Sequence, residues 1–168
     1  QVTVKMGELA ADCIRASQDY FNKQSGKYCN ASRQYEDAIN SLDAKITDYL
    51  VKSNQLSLPL ADQKILGSMF YVVNDIERIG DHAVNICDYT KLIEEKHIVF
   101  SDDAKQQMEE MKMICEKMFH NISKIPEDTQ EWLQKVHDSE NFIDQKTEEF
   151  YESHLERINK GECNDEAC

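Results

Sequence analysis

Asn74-Asp75-Ile76-Glu77-Arg78-Ile79-Gly80-Asp81-His82-Ala83-Val84-Asn85 is the stretch that decides how the rest of this chain is read. It lies inside a long Pro-free segment, Leu60 to Glu95. There Met69, Val72, Ile76, Ile79, Ala83 and Ile86 keep a nearly unbroken heptad, the pattern of helices packed in an antiparallel bundle. On such a helix Glu77 and Asp81 sit one turn apart on the same side. Two carboxylates at that spacing repel, so a positive group over them is expected: Arg78, a Lys from a neighbour, or a bound metal ion. Gly80 between them costs the helix about 1 kcal/mol relative to Ala, which predicts the close approach of another backbone.

The segments on either side read the same way. A first helix is predicted from about Val4 to Asn22, with Met6, Leu9, Ala10, Cys13, Ile14 and Phe21 inward, ending at Ser25-Gly26. A second runs from about Ala31 to Val51, with Tyr35, Ile39, Leu42, Ile46, Tyr49 and Leu50 at the spacing of a packed face. Ser57-Leu58-Pro59 makes a turn, with Pro59 at the start of the third helix. Ser101 caps a fourth helix, with Asp102 and Asp103 in its first turn, where the helix dipole favours negative charge; it is expected to stop at Pro126. A fifth runs from about Asp128 to Asn159 and ends at Gly161. No useful length alternates with period two, so the fold class is all-α, built of long antiparallel helices.

Glu36-x-x-Ile39-Asn40 in the second helix reappears as Glu140-x-x-Ile143-Asp144 in the fifth, a shift of 104 residues. The same shift lays Leu9 on Met113 and Ile14 on Met118. Helices one and two therefore correspond to four and five, and the third has no second copy. The expected organisation is a three-helix repeat over residues 1–100 and the first two helices of an incomplete repeat over 101–168. Without a third partner, helices four and five are expected to expose an apolar face that includes Met111, Met118, Ile143 and Phe150, and to self-associate through 101–168.

Composition sets the class of partner. The net charge is -13 with 32 acidic residues, which argues against nucleic acid and against direct contact with an anionic leaflet. No apolar run approaches the ~18 residues of a membrane span. Six cysteines form no CxxC pair. Cys13, Cys87 and Cys115 fall on apolar faces, as small buried thiols do, and the pattern suits a reducing compartment.

Projected at 100° per residue, Glu77 and Asp81 lie on the shoulder of the third helix beside Val73, Gly80 and Val84, in a polar strip with Asn74, Asn85 and Asp88. Glu36, Asn40 and Asp43 line one shoulder of the second helix. If these helices pack antiparallel, the two strips face each other. Oxygen donors from both suit a hard or borderline cation such as Mg, Mn, Fe or Zn. In so acidic a chain the pair also fits a merely solvated face. A ferritin-like centre needs Glu-x-x-His on two helices, and only Glu94-x-x-His97 has that form. No Ser-His-Asp, Cys-His, phosphate-loop or dinucleotide pattern occurs, so no catalytic residue is assigned.

Asp75 to Ile86 resembles the signature of the PhoU family, helical phosphate-responsive regulators built from two three-helix repeats. Pro59-Leu60-Ala61-Asp62 resembles the turn before that helix, and the two Glu-x-x-Ile-Asn/Asp strings resemble the family's middle-helix acidic motif. The resemblance implies a non-enzymatic regulator with a metal site at Glu77, Asp81, Glu36 and Asn40, and a possible half-site at Glu140 and Asp144. Asn40 stands where an acid is frequent. His154 to Cys163 resembles the tail of PhoU-like domains fused behind bacterial Na/phosphate cotransporters. With Gln1 in place of an initiator Met, it implies a cytoplasmic domain at the inner membrane face, with a transporter domain in the same polypeptide. The alternative is a free-standing adaptor between a transporter and a histidine kinase.

Overall fold

The computed structural model describes residues 1–122 and 129–162. Among these residues five helices follow one another: α1 (Val2–Lys23), α2 (Gly26–Asn54), α3 (Leu60–Lys96), α4 (Asp102–Ile122) and α5 (Thr129–Asn159). Among the described residues there is no strand. The chain divides into two compact units, Gln1–Lys96 and His97–Cys168. No described helix is long and apolar enough to cross a membrane.

Helix ends follow local chemistry. Gln24 takes a left-handed conformation (φ 48°), and its N–H donates to the Tyr20 carbonyl, closing α1. That one residue makes the break, with Ser25 as the N-cap of α2, so α2 starts at Gly26 rather than near Ala31. The Ser101 hydroxyl accepts the Ala104 N–H at 3.2 Å, capping α4 as its sequence predicts. At the end of α5, Gly161 (φ 70°) lets its N–H reach the Ile158 carbonyl and that of Glu162 reach Arg157, the paired bonds of a Schellman stop. The predicted stop at Pro126, the predicted start at Asp128, and Cys163 and Cys168 lie outside the described residues.

In the first unit α1, α2 and α3 pack pairwise on one another. The core comprises Met6, Ala10, Cys13, Ile39, Ile46, Leu50, Val73 and Ala83. The inward stripe of α3 differs by one residue from the sequence reading. Val73, Gly80, Ala83, Cys87 and Thr90 are buried, whereas Val72 and Ile86 are 43% and 36% exposed. Small side chains explain the shift. Where three helices meet, the centre of the seam belongs to residues that let backbones approach, and the larger Ile76 and Ile79 pack beside it, partly buried.

The second unit is the pair α4 and α5. Among its described residues no apolar side chain is fully buried; Met111, Met118, Ile143 and Phe150 are each half-buried. Among these described residues only Arg157 is buried; its Nη atoms donate to Ser153 Oγ and Gln107 Oε1, while Nε has no partner among them.

A candidate cation site between α2 and α3

The register of α2 against α3 can be read from close contacts. A Cβ built on Gly80 would lie 3.1 Å from Ile39 Cδ1, 3.7 Å from Ile39 Cγ2 and 3.9 Å from Glu36 Cγ. Further along, Arg33 on α2 forms an ion pair with Asp88 on α3. Residue numbers fall on one helix as they rise on the other, so the two run antiparallel. Gly80 is therefore required by a close approach, but the approaching group is the Ile39 side chain and not a backbone, as the sequence suggested. A β-carbon at position 80 would crowd a fully buried residue.

This packing brings the two acidic strips together. Burial pushes the Glu77 carboxyl above its usual range, and the charges of Asp81, Asp43 and Glu36 push it further. Arg78 acts in the opposite direction and more weakly, because its guanidinium turns to Asp75 at 3.8 Å. Among the described residues no Lys or Arg forms an ion pair with Glu36, Asp43, Glu77 or Asp81. Glu36, Asp43 and Glu77 are half-buried, while Asn40 and Asp81 are exposed. Asn40 Nδ2 donates to Glu36 Oε1, so the amide already serves as a local partner for one carboxylate.

Four carboxylates gathered without an ion-paired cation form a donor set of hard oxygens, which fits Mg, Mn or Fe by chemistry. Convergence is a separate matter. Among the described residues no three His, Cys, Asp or Glu side chains are placed to hold a metal ion. Glu140 and Asp144, the corresponding pair on α5, are both exposed, and His137 Nδ1 lies 3.9 Å from Glu140 Oε2.

Asp43 was legible as part of the α2 strip, though not in the four-residue ligand set that the family resemblance implies; its charge acts on Glu77 as Glu36 does. Asp88 leaves the acidic strip, because Arg33 neutralises it. Tyr20, near the end of α1, donates its hydroxyl to Glu94 Oε2 at 2.7 Å. No spacing along the chain announces such cross-helix pairs, because their partners are 55 and 74 residues apart.

Comparison with known proteins bears on the same segment. The PhoU domain model matches residues 3–90, from the start of α1 to within two turns of the end of α3. The phosphate-specific transport system accessory protein PhoU homolog of Aquifex aeolicus (strain VF5) is 28% identical over 94 residues. The match covers 55% of this chain and 42% of that protein, so the chain spans less than half the length of its relative. No solved structure matches the chain. The family match takes in more than half of the residues and runs through both acidic strips, Gly80 and the core around Ile39: the protein belongs to the PhoU family.

Proposed function

We propose that this chain is a non-enzymatic regulatory domain of a phosphate transport system, and that the α2–α3 strips hold a metal ion. Family membership and the name of the Aquifex relative support the phosphate-transport reading. The observation that carries the metal reading is Glu77, a half-buried carboxylate pushed up by burial and by three neighbouring acids, with no ion-paired cation beside it among the described residues. A divalent or trivalent ion would remove that repulsion and draw Glu36, Asp43, Glu77 and Asp81 inward, with the Asn40 carbonyl as a neutral donor. Its chemistry here is that of a charge clamp between two helices. The chain's own residues set the spacing of the strips through the Gly80–Ile39 contact.

In this reading the domain works in the cytoplasm, at the inner face of the membrane and as part of a transporter polypeptide. Its lightly covered α4–α5 pair offers the face for a second copy. Elemental analysis of protein purified without chelator, beside the Glu77→Ala, Asp81→Ala double variant, tests the metal. Near-stoichiometric metal that disappears in the variant supports the site. No metal in either protein makes the acids a charged docking face instead. Light scattering at micromolar concentration tests the second-copy reading, which a clean monomer would overturn.

A further inference from the structure

The three helices of the first unit enclose a set of thiols that the acidic strips do not use. Cys13 on α1 and Cys87 on α3 are fully buried, Cys29 on α2 is half-buried, and all three are free. Ser32 ties them together. Its hydroxyl lies 3.3 Å from Cys13 Sγ, and it also faces the Cys87 thiol. The Cys29 sulfur is also close enough to act on the Cys87 thiol, and the Arg33 guanidinium lies beside Cys29 from one turn further along α2. The α2–α3 register agrees independently: Glu36 faces Gly80 and Arg33 pairs with Asp88, which sets Cys29 level with Cys87.

We propose that Cys29 and Cys87 are a peroxide-responsive thiol pair that closes to a disulfide linking α2 to α3. The two sulfurs differ as the parts of such a pair must. Cys29 can be reached from solvent and sits in the first turns of α2, with the Arg33 guanidinium beside it. Cys87 is sealed from solvent, and burial keeps it a neutral thiol, with its pKa pushed up to about 11. It is therefore protected from direct oxidation but lies near the sulfur that is not.

The chemistry balances with hydrogen peroxide as oxidant. The Cys29 sulfur attacks one peroxide oxygen, the O–O bond breaks, and water leaves with the thiol proton, giving a sulfenic acid. The Cys87 sulfur then attacks the Cys29 sulfur, the S–S bond forms, and the S–O bond breaks. The departing hydroxide takes the Cys87 proton as a second water. Two thiols are oxidised and one peroxide is reduced. A disulfide asks for Cα atoms about 4.4–6.8 Å apart. Ser32, Gly80 and Ala83 are small and buried in the three-helix core beside the two cysteines. The bond would sit two turns along α2 from Glu36 and six residues along α3 from Asp81, in the interface that spaces the acidic strips.

The test treats the folded chain, carrying Cys163→Ser and Cys168→Ser so that no tail thiol competes, with hydrogen peroxide. Remaining thiols are then alkylated and the unreduced peptides mapped by mass spectrometry. A loss of about 2 Da, in a Cys29–Cys87 linked peptide, is expected. It should be absent in Cys29→Ser and in Cys87→Ala, and intact in Cys115→Ser. In Cys87→Ala a dimedone adduct should accumulate on Cys29, a readout that needs only Cys29 to be exposed. Recovery of both residues as alkylated thiols from oxidised, still helical protein overturns the proposal. So does scrambled pairing among Cys13, Cys29, Cys87 and Cys115.

Discussion

Replacing Gly80 by Ala sets two effects of similar size against each other, and the structure decides between them. In an open helix interior the change would stabilise by about 1 kcal/mol through propensity. Here the new methyl would stand 3.1 Å from Ile39 Cδ1, and Ile39 is completely buried among Met6, Ala10, Cys13, Ile46, Leu50, Val73 and Ala83. Its terminal methyl has no free space to swing into, so the core must shift, at about 1–3 kcal/mol. The expected net result for Gly80→Ala is a loss of about 1 kcal/mol. Ile39→Val alone removes Cδ1, leaves a small void and costs about 1 kcal/mol. Together the changes are complementary. With Cδ1 gone, the nearest Ile39 atom to the new methyl is Cγ2 at 3.7 Å, an ordinary contact, and the helix keeps its propensity gain. The double variant should therefore lie within about 0.5 kcal/mol of the parent, a coupling of about 2 kcal/mol. Urea unfolding followed by circular dichroism gives the four stabilities, and hydrogen exchange in α2 and α3 peptides assigns them to the first unit. Single-variant losses that simply add, or a Gly80→Ala protein stabilised by the full propensity term, would refute the packing argument.

Two further outcomes concern titration. The Glu77 carboxyl is raised in the folded state, so its charged form opposes folding above its folded pKa, and the penalty fades as pH falls through that value toward the unfolded 4.5. In chelator-treated protein, Glu77→Gln should raise the unfolding midpoint at pH 7, and the advantage should vanish on acidification; a variant less stable than the parent at pH 7 would mean the carboxylate is satisfied. Tyr20 donates to Glu94, which together with burial pushes its phenol up to about 12, so the stability this bond gives is intact below pH 10 and lost as pH rises from 10 through 12. Tyr20→Phe should cost about 1.5 kcal/mol at pH 8 and flatten the alkaline limb of a stability titration, whereas an unchanged limb would place the transition elsewhere.

How far the sequence carries the structure depends on which physical rule sets each feature. Helix identity and number follow from periodicity and from a scarcity of breakers, and Ser101 and Gly161 act locally, so these were legible. The acidic strips were legible too, because i, i+4 spacing on a helix is geometry and the α2 strip repeats the pattern. The seam of α3 was misplaced by one residue for a different reason. Periodicity weighs apolar bulk, and the largest residues suggested Val72 and Ile86, while the closest helix contact selects small ones, Gly80, Ala83 and Cys87. The same preference for small residues explains the partner of Gly80. A glycine in a helix announces that something comes near, but whether that is a backbone or an Ile39 methyl depends on the partner helix. Arg33–Asp88 and Tyr20–Glu94 lie beyond any spacing rule, since each joins residues on different helices. Arg33 shows why that matters. By neutralising Asp88 it trims the acidic strip from one end and lies beside the Cys29 sulfur at the other, so one arginine separates the carboxylate site from the thiol pair. Losing that guanidinium should return Asp88 to the acidic strip and leave the Cys29 sulfur without its cationic neighbour. The proposed cation site and the proposed peroxide response are thus tied to the same residue, although neither uses it as a ligand or a nucleophile.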